Sequence, residues 1–179
     1  MRWVAWAVAS CAASGCLIPQ EDTYLTGLAE ARNRPPRILE TQVQPSKRIQ
    51  TLGAGRCEED FSVVVEDLDV DDLITVRWYV DYDAQTNPIG PFREFQLANN
   101  GQAIRGDQAT LHVNLSAANS PLSTPGTHLV EAVVSDTRLL GRTPAPVEVI
   151  RFPDGGSLEN PGYVVTYAWF VTTVQGDCP

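Results

Sequence analysis

The sequence predicts an all-β protein, built as a sandwich or a barrel, and two observations support this class. Proline and glycine are frequent, with 13 of each among 179 residues, and they divide the chain into short segments. Within those segments, apolar and polar side chains alternate with a period of two, which is typical of half-buried strands. No stretch has the long 3.6-residue period of an amphipathic helix.

The clearest strand covers residues 73–82. The side chains expected on its core face are those of Ile74, Val76, Trp78, Val80 and Tyr82. Similar patterns predict strands at residues 61–65, 111–115, 128–134 and 163–174, with weaker candidates at 92–97 and 147–152. The prediction is therefore a domain of about seven strands.

The first residues predict export. A charged start at Arg2 is followed by an uncharged apolar run over residues 3–13, which is too short to cross a bilayer as a helix of about 20 residues. The next residues, Ala13-Ser14-Gly15-Cys16, resemble the lipobox of bacterial lipoproteins, which implies cleavage before an acylated Cys16. Two alternatives remain open: a competing match that ends at Cys11, and an ordinary secretory signal in which Cys16 is incidental.

The lipobox resemblance, the prolines at 35 and 36 and the alternation that begins near residue 37 together predict three parts of the chain. Residues 1–15 would be the signal peptide, residues 16–36 an acylated N-terminus with a flexible, proline-containing tether, and residues 37–179 the β-sandwich domain. Several acyl chains give stable membrane attachment because each buried methylene contributes about 0.8 kcal/mol. Leu17 stands where an aspartate would imply retention at the inner membrane, so the expected location is the cell envelope, at the outer membrane.

Charge excludes some partners. The formal net charge is -9, and loss of Arg2 with the signal peptide would make the mature chain one unit more negative. A strongly acidic protein is unsuited to nucleic acid or to anionic lipid surfaces.

The cysteines predict one disulfide. If Cys11 leaves with the signal peptide and Cys16 carries lipid, Cys57 and Cys178 form an even pair in an oxidising compartment. Such a bridge closes a loop of about 120 residues and stabilises the fold by about 4 to 5 kcal/mol according to chain-entropy theory.

The acidic loop and the Trp78-bearing strand, within residues 66–81, resemble those of PKD-like and cadherin-like immunoglobulin-type modules. Residues 126–136 resemble their penultimate strand. The resemblance implies an immunoglobulin-like β-sandwich with Trp78 in the core. It also implies that Cys57 and Cys178 share one end, while the acidic loop and the long segment 137–162, in which the chain departs from these modules, share the other end near the tether.

The acidic loop is a candidate site for a weak Ca²⁺ ion, since hard cations take six to eight oxygen ligands. The candidate ligands are Asp67, Asp69, Asp71 and Asp72, helped by Glu58, Asp60 or Asp136. The EF-hand pattern is absent, because the sixth position from Asp67 is not glycine. The alternative is a solvated acidic turn that faces arginines of the neighbouring segment, namely Arg138, Arg142 or Arg151.

Two further features suggest binding. The turn-rich segment before the last strand offers Asp154 and Asn160 as contacts for an envelope protein or a glycan. The last strand carries Tyr163, Tyr167 and Trp169 on one face, which would bind a glycan if exposed. The alternative is that this row packs against the rest of the sheet.

No catalytic motif is present: the sequence lacks a nucleophile elbow, a phosphate-binding glycine loop and a zinc-protease helix. His112 lies between the inward-facing residues of its strand, so we expect it to face water. His128 is in register with the inward-facing residues of its own strand, so we expect it to face inward. The predicted function is a non-catalytic structural or interaction module at the envelope, without a cofactor other than weak Ca²⁺. The alternatives are a carbohydrate- or calcium-binding module and, ranked below it, an enzyme with an unrecognised site.

Overall fold

The computed structural model describes residues 33–85, 93–106, 108–153, 155–176 and 178. These residues form an immunoglobulin-like β-sandwich, as predicted. The predicted signal peptide, Cys11, Cys16 and most of the predicted tether lie outside the described residues, as does Asp154. In the part that is described, the helical content is one 3-10 turn at Glu40–Gln42, and no helix has the length and apolarity to span a membrane.

The strands of the described ranges are, in chain order, β1 (Arg37–Ile38), β2 (Ile49–Leu52), β3 (Glu58–Val63), β4 (Val65–Glu66), β5 (Ile74–Val80), β6 (Arg93–Leu97), β7 (Ala109–Asn114), β8 (Gly126–Ser135), β9 (Leu139–Leu140), β10 (Thr143–Pro144), β11 (Glu148–Arg151), β12 (Ser157–Asn160) and β13 (Val164–Thr173). One sheet has five strands in the order β2-β13-β8-β5-β6, in which β2 runs parallel to β13 and the other pairs are antiparallel. The opposing layer contains the antiparallel pair β3-β7.

The five-stranded sheet and the β3-β7 pair together contain seven strands, and six of them coincide with predicted strands. β2 was not predicted, and the weak candidate at residues 147–152 is β11, which lies outside both layers. The further strands belong to short antiparallel pairs, β1-β4, β9-β10 and β11-β12. Two of these pairs lie within residues 137–162, where sequence analysis predicted only one weak strand. Two-residue strands are too short to produce a recognisable alternation, so their pairing depends on the surrounding fold.

Trp78 lies in the core, as predicted, with no solvent exposure. Its ring stacks on Trp169 at a centroid distance of 5.7 Å, and Phe61 meets Trp169 edge-on at 5.4 Å. The inward-facing side chains of β3, β5, β7, β8 and β13 therefore pack against aromatic rings that come from both layers. Burial of such large side chains contributes most of the hydrophobic stabilisation of a small sandwich.

The outer face of the five-stranded sheet is partly covered, so β5 and β8 are not half-buried as the alternation suggested. Tyr79 and Val133 on this face are 3% and 1% exposed. Leu139 packs on them from the segment that follows β8, and the Arg142 guanidinium lies 4.9 Å from the Tyr79 ring centroid. The cover comes from the segment that follows β8, and the periodicity of β5 and β8 themselves cannot reveal it.

Cys57 and Cys178 form the predicted disulfide. Cys57 directly precedes β3 and Cys178 follows β13, so the bridge links the two layers at the end opposite the acidic loop. We call this the disulfide end, and the end that carries residues 67–73 and 136–163 the loop end.

Candidate functional site at the loop end

The acidic loop joins β4 in one layer to β5 in the other. Asp67 begins it: its N–H donates to the Ala103 carbonyl, and its Oδ1 accepts from the N–H of Asp69 at 2.9 Å. The N–H of Asp72 then donates to the Asp69 carbonyl at 3.0 Å. Aspartate favours such side-chain and backbone turns, and this one curls the loop so that its carboxylates converge.

Three of the four predicted carboxylates come together. One oxygen from each of Asp67, Asp69 and Asp72 lies within 4.8 Å of the other two. Asp71 does not join them, because it is exposed and accepts a hydrogen bond from Asn99. We call Asp67, Asp69 and Asp72 the carboxylate cluster.

The three proposed helpers are placed differently. Glu58 and Asp60 lie on β3, where they bond with Asn114 and His112, and they do not reach the cluster. Asp136 follows β8 and is close enough to act electrostatically on Asp72. Its two oxygens accept hydrogen bonds from the Tyr163 N–H at 2.7 Å and from Asn33 Nδ2 at 2.8 Å.

Arg105, which sequence analysis did not single out, supports the loop from inside. Its side chain has no solvent exposure. Its Nη1 and Nη2 donate to the carbonyls of Val70 at 2.9 Å and Asp69 at 3.0 Å, and Nη2 lies 3.8 Å from Asp67 Oδ2. A buried arginine needs such acceptors to offset the loss of hydration. No sequence signal distinguished it, because it stands alone in a loop segment.

Arg34, in the segment assigned to the tether, bonds to the same loop. Its backbone N–H donates to Asp69 Oδ2 at 2.6 Å, while Nε and Nη2 donate to Asp69 Oδ1 at 3.0 and 2.6 Å. The neighbouring Asn33 donates to Asp136 and to the Pro161 carbonyl. The chain thus enters the sandwich at the loop end. Arg142, one of the predicted partners of the acidic loop, instead pairs with Glu131.

The local environment shifts the pKa values of these carboxyl groups in different directions. Burial, reinforced by the charges of Asp67, Asp69 and Asp136, raises the pKa of Asp72 to about 6. Burial is also the main reason that the pKa values of Asp67 and Asp136 are raised. For Asp69, burial acts to raise the pKa, but the hydrogen bonds and charge of Arg34 outweigh it and lower the pKa overall.

Within the described residues, the site gathers more carboxyl groups than cations. The cluster and Asp136 are four carboxyl groups, and the described cations that interact with them are Arg34 and Arg105. Asp67 Oδ2 and Asp72 Oδ2 are buried atoms that receive no hydrogen bond. Buried polar oxygens normally accept a hydrogen bond, so these two carboxylate oxygens are exceptions to that rule.

A hairpin made of β11 and β12 follows the β9-β10 pair along the chain. Asn160 is the last residue of β12 and not part of a loop, and its carbonyl accepts from the Val147 N–H. In the described residues, the two strands pair with each other and with no other strand. Val147, Val149 and Phe152 are 44%, 41% and 39% exposed.

The aromatic row of β13 packs in the sheet, as the alternative interpretation proposed. Tyr167 and Trp169 are buried, and Trp169 Nε1 donates to the Pro45 carbonyl. Tyr163, which precedes β13, is half-buried. Tyr167 and Trp169 therefore offer no stacking surface for a glycan. On the other face of β13, Phe170 is 54% exposed.

The one arrangement in the described residues that resembles a catalytic triad contains His128, Asp81 and Thr173. His128 Nδ1 lies 2.6 Å from Asp81 Oδ2, and Nε2 lies 2.7 Å from the Thr124 carbonyl and 3.2 Å from Thr173 Oγ1. Thr173 Oγ1 donates to the Thr124 carbonyl at 2.7 Å, so its hydroxyl hydrogen is engaged by a backbone acceptor. The contacts of this histidine link the residue after β5, a residue shortly before β8 and the end of β13. His112 is exposed beside Asp60, as expected.

No protein-family model matches the chain, and no curated protein shows significant sequence similarity to it.

Proposed function

We propose that this chain is an envelope lipoprotein whose immunoglobulin-like domain has a non-catalytic role in protein interaction or structure, with the loop end as the contact surface. The observation that carries the proposal is the β11-β12 hairpin, which presents partly exposed apolar side chains next to a charged loop. Contact surfaces of proteins commonly combine apolar groups with a polar rim.

The loop end is also where immunoglobulin-type domains vary most. Loops that connect the two layers of a sandwich tolerate insertions and supply contacts without disturbing the core. Here residues 136–163 are such an insertion, and their pairs β9-β10 and β11-β12 stand outside the two layers. An envelope protein with an apolar patch fits this surface better than a nucleic acid does, given the net charge of -9.

The lipobox-like residues support the anchored part of the proposal. From Cys16 to Asn33 the chain can reach at most about 60 Å when extended. Because Asn33 and Arg34 bond to the loop end, an acylated Cys16 would keep this end within that distance of a bilayer. The partner would then be a membrane-associated envelope protein.

Anchoring is tested by metabolic labelling with radioactive palmitate. We expect the wild type and Cys11→Ser to incorporate label and Cys16→Ser to lose it. Cys11→Ser is the matched control, since it removes the competing cysteine from the same segment. Label retained by Cys16→Ser would refute lipid attachment at that residue.

Contact by the hairpin is tested by photo-crosslinking in intact cells. A photoreactive residue at position 149 or 152 should give one discrete adduct with a membrane-fraction protein, and the same probe at exposed position 112 on β7 should not. Equal labelling from all three positions, or none from the hairpin, would contradict the proposed surface.

A further inference from the structure

We infer that the β11-β12 hairpin binds the same hairpin of a second copy of this chain, with β11 of one copy paired antiparallel to β11 of the other. The inference rests on the proposed function, because it names the partner that contacts the hairpin. It depends on the free edge of β11, on its exposed apolar side chains and on two charges that have no partner within the described residues.

β11 has one free edge. The N–H of Phe152 donates to the Gly156 carbonyl at 2.8 Å, and the register continues from there along the hairpin. Backbone groups of an antiparallel strand point alternately to its two sides. Those of the even-numbered β11 residues therefore face β12, and those of Val149 and Arg151 point away from it. Among the strands that the structure describes, none other than β12 pairs with β11.

The apolar side chains favour pairing along β11. A hairpin of two strands is marginally stable in water by itself, and further strands with a shared apolar face stabilise it. The exposed apolar residues Val147, Val149 and Phe152 lie on or beside β11, whereas the exposed residues of β12 are Ser157 and Glu159. A strand added along β11 thus covers apolar groups, and one added along β12 covers polar groups.

Two-fold symmetry restricts the register. Identical antiparallel strands related by such an axis place facing side chains on the same face, so the numbers of two facing residues add up to an even number. If Ile150 faces itself across the axis, Val149 faces Arg151 of the second copy. In this register the free N–H and C=O groups of Val149 and Arg151 bond to each other in both directions.

One face of the resulting four-stranded sheet is apolar at its centre. Ile150 and Leu158 face each other within the hairpin, and both are half-buried. Pairing across the axis extends this pair into a row of four aliphatic side chains, two from each copy. Contacts between apolar side chains on neighbouring strands stabilise a sheet.

The other face has complementary charge. Val149 faces Glu159 within the hairpin, so Arg151 of the second copy lies in the same row, two strands from Glu159. Cα atoms two strands apart are separated by about 10 Å, and an arginine stem that lies over Val149 brings its guanidinium to the glutamate.

These two charges are available for the contact. Within the described residues, neither Arg151 nor Glu159 belongs to an ion pair. An edge strand that carries like charges resists self-association. Here the two-fold register brings opposite charges together on both sides of the axis.

The register is tested by disulfide formation between full chains in intact cells. Facing residues of a non-hydrogen-bonded pair have Cα atoms about 4.5 Å apart, which is within the range of a disulfide. We expect Ile150→Cys to give a dimer of twice the chain mass on non-reducing electrophoresis. Glu148→Cys is the matched control on the same face, because residue 148 lies about 14 Å from its counterpart and cannot form the bridge.

The charge contact is tested in the Ile150→Cys background. Arg151→Glu alone and Glu159→Arg alone should each lower the crosslinked fraction about three- to tenfold, because like charges then meet in both contacts of the dimer. Co-expression of these two variants, with tags of different mass, should restore crosslinking as a mixed dimer. Residues 151 and 159 still have like charges within each chain of the mixture, so the recovery must come from contact between copies.

The inference is overturned if Ile150→Cys forms no dimer, if Glu148→Cys crosslinks equally, or if co-expression recovers no mixed dimer. The photoreactive residue at position 149 separates this inference from the proposed function. An adduct of twice the chain mass supports both. An adduct with a different protein retains the hairpin as the contact surface but overturns pairing with a second copy, and the absence of any adduct overturns both.

Discussion

The two ends of the sandwich are closed by different means. At the disulfide end, a covalent bridge joins the layers, and the His128 ring contacts groups at the ends of three segments. At the loop end, the described residues place four carboxyl groups beside two arginines, and two buried carboxylate oxygens have no hydrogen-bond donor. One end is held by a covalent bond, whereas the other gathers like charges. The contrast indicates that stability is concentrated at the first end and binding capacity at the second.

Removing the bridge should have the largest effect on this contrast. We expect Cys57→Ser combined with Cys178→Ser to lower the free energy of unfolding by about 4 kcal/mol, because the disulfide constrains a long loop in the unfolded chain. Urea denaturation measures the change, and the double variant should no longer respond to a reducing agent. A loss below about 1 kcal/mol would mean that this end is held by packing instead.

The buried histidine should come next. His128→Ala should cost about 2 kcal/mol, since the variant would lose the ring contact with Asp81 and leave unfilled space where a largely buried side chain packs. His112→Ala is the matched control: this histidine also pairs with an aspartate, but its side chain is 59% exposed, so we expect a change below about 0.5 kcal/mol. Similar losses in the two variants would show that the His128 contacts add nothing beyond an exposed pair.

The smallest expected effect is at the loop end and has the opposite sign. Asp72 ionises near the ordinary aspartate pKa of 3.8 when the chain is unfolded, and its pKa is about 6 when the chain is folded. Between these pH values the folded state binds more protons, so this group costs stability as pH rises. The facing carboxylates of Asp67, Asp69 and Asp136 raise the cost, and Arg105 reduces it.

In chelator, Asp72→Asn should therefore be as stable as wild type near pH 4 and more stable by about 1 kcal/mol above pH 6, after allowance for solvent screening. Urea denaturation at several pH values, with Asp71→Asn as the control, measures this difference. A gap that stays constant from pH 4 to pH 7 would exclude titration of Asp72 as its source.

Much of the fold could be predicted from the alternation of side chains along short segments and from the cysteines. Alternation located the strands that carry Trp78 and Phe61, and cysteine counting identified the disulfide between Cys57 and Cys178. Both signals are local or combinatorial: the side-chain period of a strand is two, and two cysteines allow one pairing. The exceptions were Tyr79 and Val133, which lie on the outward face and are covered by Leu139 from the segment after β8.

The candidate site could be predicted from the sequence only in part. A run of aspartates indicated a carboxylate-rich loop. The spacing of the aspartates could not show that Asp71 lies outside the carboxylate cluster or that Asp136 lies close to Asp72. The direction of a side chain in a turn depends on the hydrogen bonds of that turn, and these are not visible in the sequence. Arg34 and Arg105 are separated from the loop by about 30 or more residues of chain, and nothing in their neighbours marks them.

The sequence by itself thus determined the longer strands, the inward aromatic residues and the cysteine pair, since these follow from the side-chain period of a strand and from the number of cysteines in the domain. Only the tertiary structure decided which charges meet at the loop end. Charge pairing depends on distances between segments that are remote along the chain, and hydrophobic periodicity carries no information about those distances.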